Sequence, residues 1–204
     1  MICGISEWPR SVSLWKQIVG RPAQPNDTGR VLALAADLLA VELAIWFHDA
    51  VYDPQAADNE ARSAGLARDW MGKCGAAAAL TDAVGQLILA TKSHDATLHA
   101  DAPLLVDVDL SILGQPPDRF WEYERQIRDE YSWVDKGMSA ARRAEILQRF
   151  LARARIYHTA LFFHRLETQA RTNRRASVQP LSVRTANGSS GLLGLAKTKQ
   201  KFAA

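Results

Sequence analysis

From about residue 30 to about residue 172 the apolar positions recur at helical spacing almost without a break. Val31 to Phe47 is apolar on nearly every side, interrupted only by Asp37 and Glu42, the pattern of a helix enclosed by others. Tyr52-Asp53-Pro54 is expected to end it, because proline disfavours the α conformation in the residue before it. Asp58 to Met71 predicts a second helix, with Asp58, Asn59 and Glu60 near its positive N-terminal end and Leu66 and Trp70 four apart. Ala76 to Thr91 predicts a third, carrying Leu80, Val84, Leu87 and Ile88 in one stripe. Leu104 to Leu113 reads either as a buried strand or as a helix. Helix is favoured, because Leu110, Ile112 and Leu113 extend the apolar run. Pro116-Pro117-Asp118 opens an amphipathic helix with Phe120, Tyr123, Ile127 and Tyr131 on one face. Ser139 is the expected N-cap of the next helix, which ends near Leu151, and Thr159 that of the last, which carries Phe162, Phe163 and Leu166. With no period-2 strand, hairpin signal or internal repeat, the pattern predicts an all-α helical bundle over 30–173. Residues 1–29, with Trp8, Trp15, Gly20, Pro22 and Pro25, read as an irregular lead-in with a short helix around 13–19.

Composition agrees with a folded chain: of 204 residues, 48% are hydrophobic and 23% charged. No run approaches the ~18 to 20 apolar residues of a membrane span, so no membrane partner is expected. The first ten residues have neither a basic start nor an apolar core, which argues against a secretory signal. Two cysteines, Cys3 and Cys74, are too few for a disulfide framework, and a reduced, cytoplasmic protein is expected.

The formal charge of +3 changes the picture less than it first suggests. Residues 172–204 contain six basic residues and no acidic one, leaving 19 basic against 22 acidic residues in 1–171, a net of −3. The basic character therefore belongs to the C-terminal stretch, centred on Asn187-Gly188-Ser189-Ser190-Gly191. Residues 174–204 read as a disordered basic tail, and the acidic remainder argues against nucleic acid as the partner.

The polar residues that need explaining leave the most apolar helix at its end, in Trp46-Phe47-His48-Asp49-Ala50-Val51-Tyr52-Asp53. An imidazole and a carboxylate buried there require a partner. A divalent metal ion would serve, since mixed nitrogen and oxygen sites suit several such ions; a local capping pair is the plainer alternative. Asp107 and Asp109, inside the apolar run Val106 to Leu110, are further candidate ligands, because ionised groups in such runs are rarely unpaired. His94, after Leu87 to Ser93, reads as a helix-capping or surface group that could equally face the same pocket. Asp53 lies four residues after Asp49, on the same face if the helical turn continues, and is a candidate general acid or base. His99, His158 and His164 look structural, and Cys74 looks like a small residue at a helix break. A phosphate-binding glycine loop, a nucleophile elbow and an H-E-x-x-H motif are all missing from the sequence.

His48-Asp49-Ala50-Val51-Tyr52-Asp53-Pro54 followed by Asp58-Asn59-Glu60-x-Arg62-Ser63-Ala64 resembles the bacterial predicted metal-dependent phosphohydrolases of the HD superfamily. The likeness continues through Ile88-Leu89-Ala90-Thr91-Lys92-x-His94, Asp107-Val108-Asp109-Leu110-Ser111-Ile112-Leu113-Gly114, Tyr123-x-x-x-Ile127-Arg128-x-Glu130-Tyr131 and Glu167-x-x-Ala170-Arg171-x-Asn173, covering roughly residues 40–173. The resemblance implies an all-helical HD domain holding one or two divalent ions (Mn, Mg, Fe, Co, Ni or Zn). It assigns His48 and Asp49 as metal ligands, with Asp107 as the distant aspartate and Asp109 close behind it. His94 matches a family histidine for a second ion or the phosphate, and Lys92 is placed with it. The superfamily also has a histidine block before the HD pair, whereas no histidine precedes His48 here. The expectation is a start that is cut or shifted in frame, or a lost first ligand.

The resemblance thus implies hydrolysis of a phosphate ester, of a nucleotide or another small phosphorylated metabolite. A metal ion would polarise the phosphoryl oxygen and lower the pKa of a bound water. The missing histidine motivates an alternative, a non-catalytic module that binds a phosphorylated ligand or a protein partner.

Overall fold

The computed structural model describes residues 34–186, with side chains up to Ser177. All regular secondary structure among these residues is helical. The expected lead-in over 1–29 and its short helix lie outside the described residues. The chain divides into two compact units, Met1–Asp109 and Leu110–Ala204, where the sequence suggested one body over 30–173.

The first unit contains α1 (Leu38–Phe47), α2 (Asn59–Lys73), α3 (Ala78–Thr91) and α4 (Ala102–Asp109). Helix α1 begins later than the apolar run because Asp37 caps it: the side chain accepts a hydrogen bond from the Ala40 N–H at 3.0 Å. Ala40, Val41, Ala44 and Ile45 of α1 are buried, as are Leu87 and Ile88 of α3 and Leu104, Leu105 and Val106 of α4. These residues form the core of the unit, with Phe47 against Trp70 of α2 at a ring separation of 5.7 Å. Cys74 and Gly75 (φ +71°) terminate α2, the break that the sequence suggested.

One buried carboxylate aligns two of these helices. Asp101, just before α4, accepts hydrogen bonds from the backbone N–H groups of Ala36 and Asp37, at 2.7 and 2.9 Å, just before α1. With their starts tied together and the two helices packed, α1 and α4 run on for ~15 and ~12 Å at 1.5 Å per residue. Their last residues therefore emerge side by side.

The second unit opens with a 3-10 helix (Leu110–Gly114), so the ambiguous apolar run is helical, and continues with α5 (Pro117–Glu130), α6 (Lys136–Ala152) and α7 (Ala160–Ala186). Helix α6 starts three residues before Ser139, because Asp135 provides the cap, accepting from the N–H groups of Gly137 and Met138. Thr159 does cap α7: its hydroxyl accepts from the Phe162 N–H at 3.5 Å. The Glu167, Arg171 and Asn173 motif is structural. Glu167 accepts from the Ile156 and Tyr157 N–H groups, and Arg171 donates to the carbonyls of Leu151, Arg153 and Ala154. Asn173 donates to the carbonyls of Leu113 and Gln115. Helix α7 runs well past residue 173, and Arg174 is fully buried. The tail boundary read from the sequence was therefore too early, because basic residues were taken as solvated; residues 187–204 lie outside the described part.

Candidate metal centre

His48 caps the C-terminus of α1, its backbone N–H donating to the Ala44 carbonyl at 2.9 Å. Its Nδ1 lies 3.0 Å from the Ile45 carbonyl oxygen, an acceptor, so Nδ1 carries the hydrogen. In the neutral ring Nε2 then presents a lone pair. That nitrogen is buried without a hydrogen-bond partner, 3.3 Å from Oδ2 of Asp49 and 3.7 Å from Oδ1 of Asp109. A lone pair facing two carboxylates is repulsive unless a cation lies between them, and either a proton on Nε2 or a metal ion would meet that need. Burial alone would lower the affinity of His48 for a proton. The charges of Asp49 and Asp109 and the bond to Ile45 outweigh it and raise the pKa to about 9.

Asp109 ends α4 and also meets His94, whose Nε2 is 3.2 Å from Oδ2 of Asp109. Burial opposes ionisation of Asp109, yet His48 and His94 hold its carboxyl well below the usual carboxylate range. His94 sits beyond the end of α3 with φ +51°, while the Asp95 N–H bonds to the Ala90 carbonyl at 3.0 Å, closing the helix. Left-handed backbone costs a non-glycine residue roughly 1 to 2 kcal/mol, so a histidine here is a departure from what the turn alone favours.

Asp107 is completely buried two residues earlier. Two residues on an α-helix are ~200° apart around the axis, so Asp107 does not share the face on which Asp109 meets His48. Of the two aspartates named by the resemblance, Asp109, its second choice, is the one that lies beside His48.

The segment after Asp49 is fixed by α2. The Ser63 hydroxyl accepts from the Val51 N–H at 3.0 Å, Asn59 Oδ1 accepts from the Asp53 N–H at 3.0 Å, and Asn59 Nδ2 donates to the Asp53 carbonyl at 2.8 Å. Asn59 and Ser63 are four residues apart and share a helical face, which accounts for that part of the motif. Asp53 does not continue the helical face of Asp49, because α1 ends at Phe47. It is exposed, and its carboxylate accepts from the Gln55 N–H at 2.9 Å, closing a turn. The shared face with Asp49, on which the expectation of a general acid or base rested, is therefore not formed. Lys92 is exposed at the C-cap of α3, two residues before His94.

Among the described residues, no group of three or more His, Cys, Asp and Glu side chains is arranged as it stands to hold a metal ion. His48 Nε2 does stand near one oxygen of Asp49 and one of Asp109. Ligands ~2.1 Å from one ion stand ~3.4 Å apart at a tetrahedral angle, and the two separations from His48 bracket that value. The orphaned Nε2, its tautomer fixed through Nδ1, suits a metal-binding histidine whose second nitrogen is held by a carbonyl.

Sequence reasoning missed Asp101, which aligns the two helices. An acidic residue just before Ala102-Pro103 is a helix-start signal, but nothing in it foretold bonding to a different helix.

Comparison of the chain with known protein families, curated proteins and solved structures finds no match.

Proposed function

We propose that His48, Asp49 and Asp109 hold a divalent cation, and that the protein is a metal-dependent phosphohydrolase of the HD type acting on a phosphate ester of a nucleotide or small metabolite. The observation that carries this reading is the buried Nε2 of His48, without a hydrogen-bond partner and aimed at two carboxylates by the Nδ1 bond to Ile45. The ordered motif series, from His48-Asp49 to the Asp-x-Asp run, supports the HD assignment. A cation at that point would polarise a phosphoryl oxygen and lower the pKa of a bound water.

The chain's own groups have distinct tasks in this reading. Ile45 fixes the ring of His48. His94 orients Asp109 through Oδ2, leaving Oδ1 toward His48. Lys92, exposed near His94, supplies positive charge for an incoming phosphate. Asn59 and Ser63 hold the backbone just after Asp49 in place.

Metal analysis of the purified protein beside Asp49→Ala, with a phosphate-release panel on both, tests the proposal. Bound divalent metal and turnover in the wild type, both lost in the variant, are expected. Equal metal content in the two, with no turnover in either, would remove the enzyme reading. The incomplete donor group among the described residues favours a second reading, a non-catalytic pocket for a phosphorylated ligand, which predicts ligand-dependent thermal stabilisation without turnover.

A further inference from the structure

Among the described residues, the second unit contains a buried charge with no hydrogen-bonded counter-ion. Arg174 of α7 is completely buried, and its Nε, Nη1 and Nη2 all lack a hydrogen-bond partner. One face of the guanidinium lies over the Phe150 ring, with Cζ 4.1 Å from the centroid. A ring face attracts a cation but accepts none of the five in-plane N–H donors. Arg143, also buried, stands near enough to repel Arg174, and Glu124 is engaged by Arg143 through two hydrogen bonds. The hydroxyl groups of Tyr123 and Tyr157 belong to the same neighbourhood.

Among the described residues, the charged groups that act most strongly on Arg174 are one further guanidinium, Arg143, and one carboxylate, Glu124, which leaves a surplus of one positive charge. An uncompensated buried cation costs several kcal/mol, and an unsatisfied buried donor calls for a missing water or ion. A planar guanidinium fork matches the two oxygens of a carboxylate. We propose that Arg174 forms a buried anion site in the second unit that takes a single carboxylate group from a small organic acid. The charge count selects the ligand: a carboxylate cancels the surplus, whereas a phosphate dianion would replace one surplus charge by another of opposite sign. The site is independent of the His48 centre and makes no use of a metal ion.

The test is thermal unfolding and calorimetric titration of the full chain in chelator, with sodium acetate as the probe and sodium chloride and phosphate at matched ionic strength as controls. Acetate at about a hundredfold over its dissociation constant is expected to raise the Tm by roughly 5 to 10 °C. Chloride should produce no saturable shift, and phosphate a smaller one than acetate. In Arg174→Met, which fills the same space without charge, the acetate shift should vanish, while Arg174→Lys should retain part of it. His48→Ala should bind acetate as the wild type does, separating this site from the metal centre. No saturable effect of acetate on the wild type would overturn the proposal whatever the variants do. So would an undiminished shift in Arg174→Met, or phosphate binding more tightly than acetate.

Discussion

His94 and Asp109 lie 3.2 Å apart, Nε2 to Oδ2, although each comes from the end of a different helix and His94 adopts left-handed backbone there. Asp109 is thereby shared, one oxygen toward His94 and the other toward His48. Under the metal reading, Asp109→Asn should lose bound divalent ion almost completely. Asp107→Asn, on another face of α4, should keep wild-type stoichiometry per folded molecule. Elemental analysis after dialysis measures both. Retention by Asp109→Asn with loss in Asp107→Asn would reverse the assignment.

The raised pKa of His48 gives a pH dependence with a definite sign. The folded value, about 9, lies above the ordinary 6.5. The native state therefore keeps a proton that the unfolded chain has released, and this contribution is complete below pH 6.5 and lost as pH rises through about 9. Its size is of order 3 kcal/mol as an upper bound. In chelator, the wild-type Tm should fall across that window, and His48→Asn should show a flatter profile. Under the metal reading, added divalent ion should restore the Tm at high pH, since it would take the proton's place between the two carboxylates. A flat wild-type profile in chelator would argue against the His48 geometry.

Asp101 is expected to matter for stability far more than its position outside the proposed site suggests. Asp101→Ala removes two charge-assisted acceptors from the Ala36 and Asp37 N–H groups. The expected loss is about 2 to 3 kcal/mol, read from urea unfolding. A loss below about 0.5 kcal/mol would show that water replaces the carboxylate at no net cost.

Gly114 ends the 3-10 helix where α7 crosses closely. A Cβ at that point would lie 2.5 Å from the Leu166 Cβ, 2.9 Å from its carbonyl oxygen and 3.0 Å from the Tyr157 hydroxyl. Two of these neighbours belong to a helix and cannot step aside cheaply, so Gly114→Ala should destabilise by about 1 to 3 kcal/mol. Gly65, with no atom within 4 Å of its added Cβ, provides the control. Gly65→Ala should be neutral or stabilising by up to ~1 kcal/mol, as alanine favours helix. Denaturant midpoints of the pair check the contrast.

The amino-acid sequence by itself determined the helical class and, to within a few residues, most of the helices. Apolar spacing records which side of a helix is buried, and a cap such as Thr159 is local. It also marked His48, Asp49, Asp107 and Asp109 as residues needing a partner, since charge inside an apolar run is conspicuous without coordinates. Tertiary structure alone decided which carboxylate meets His48, because α4 is apolar almost all round and its pattern leaves the rotation open. The same holds for Asp53, displaced by the end of α1 at Phe47, and for Arg174, whose basic neighbours suggested solvent. In each case spacing along the chain defines one helix, whereas contact depends on a second helix placed by residues remote in sequence, as Asp101 places α1 beside α4.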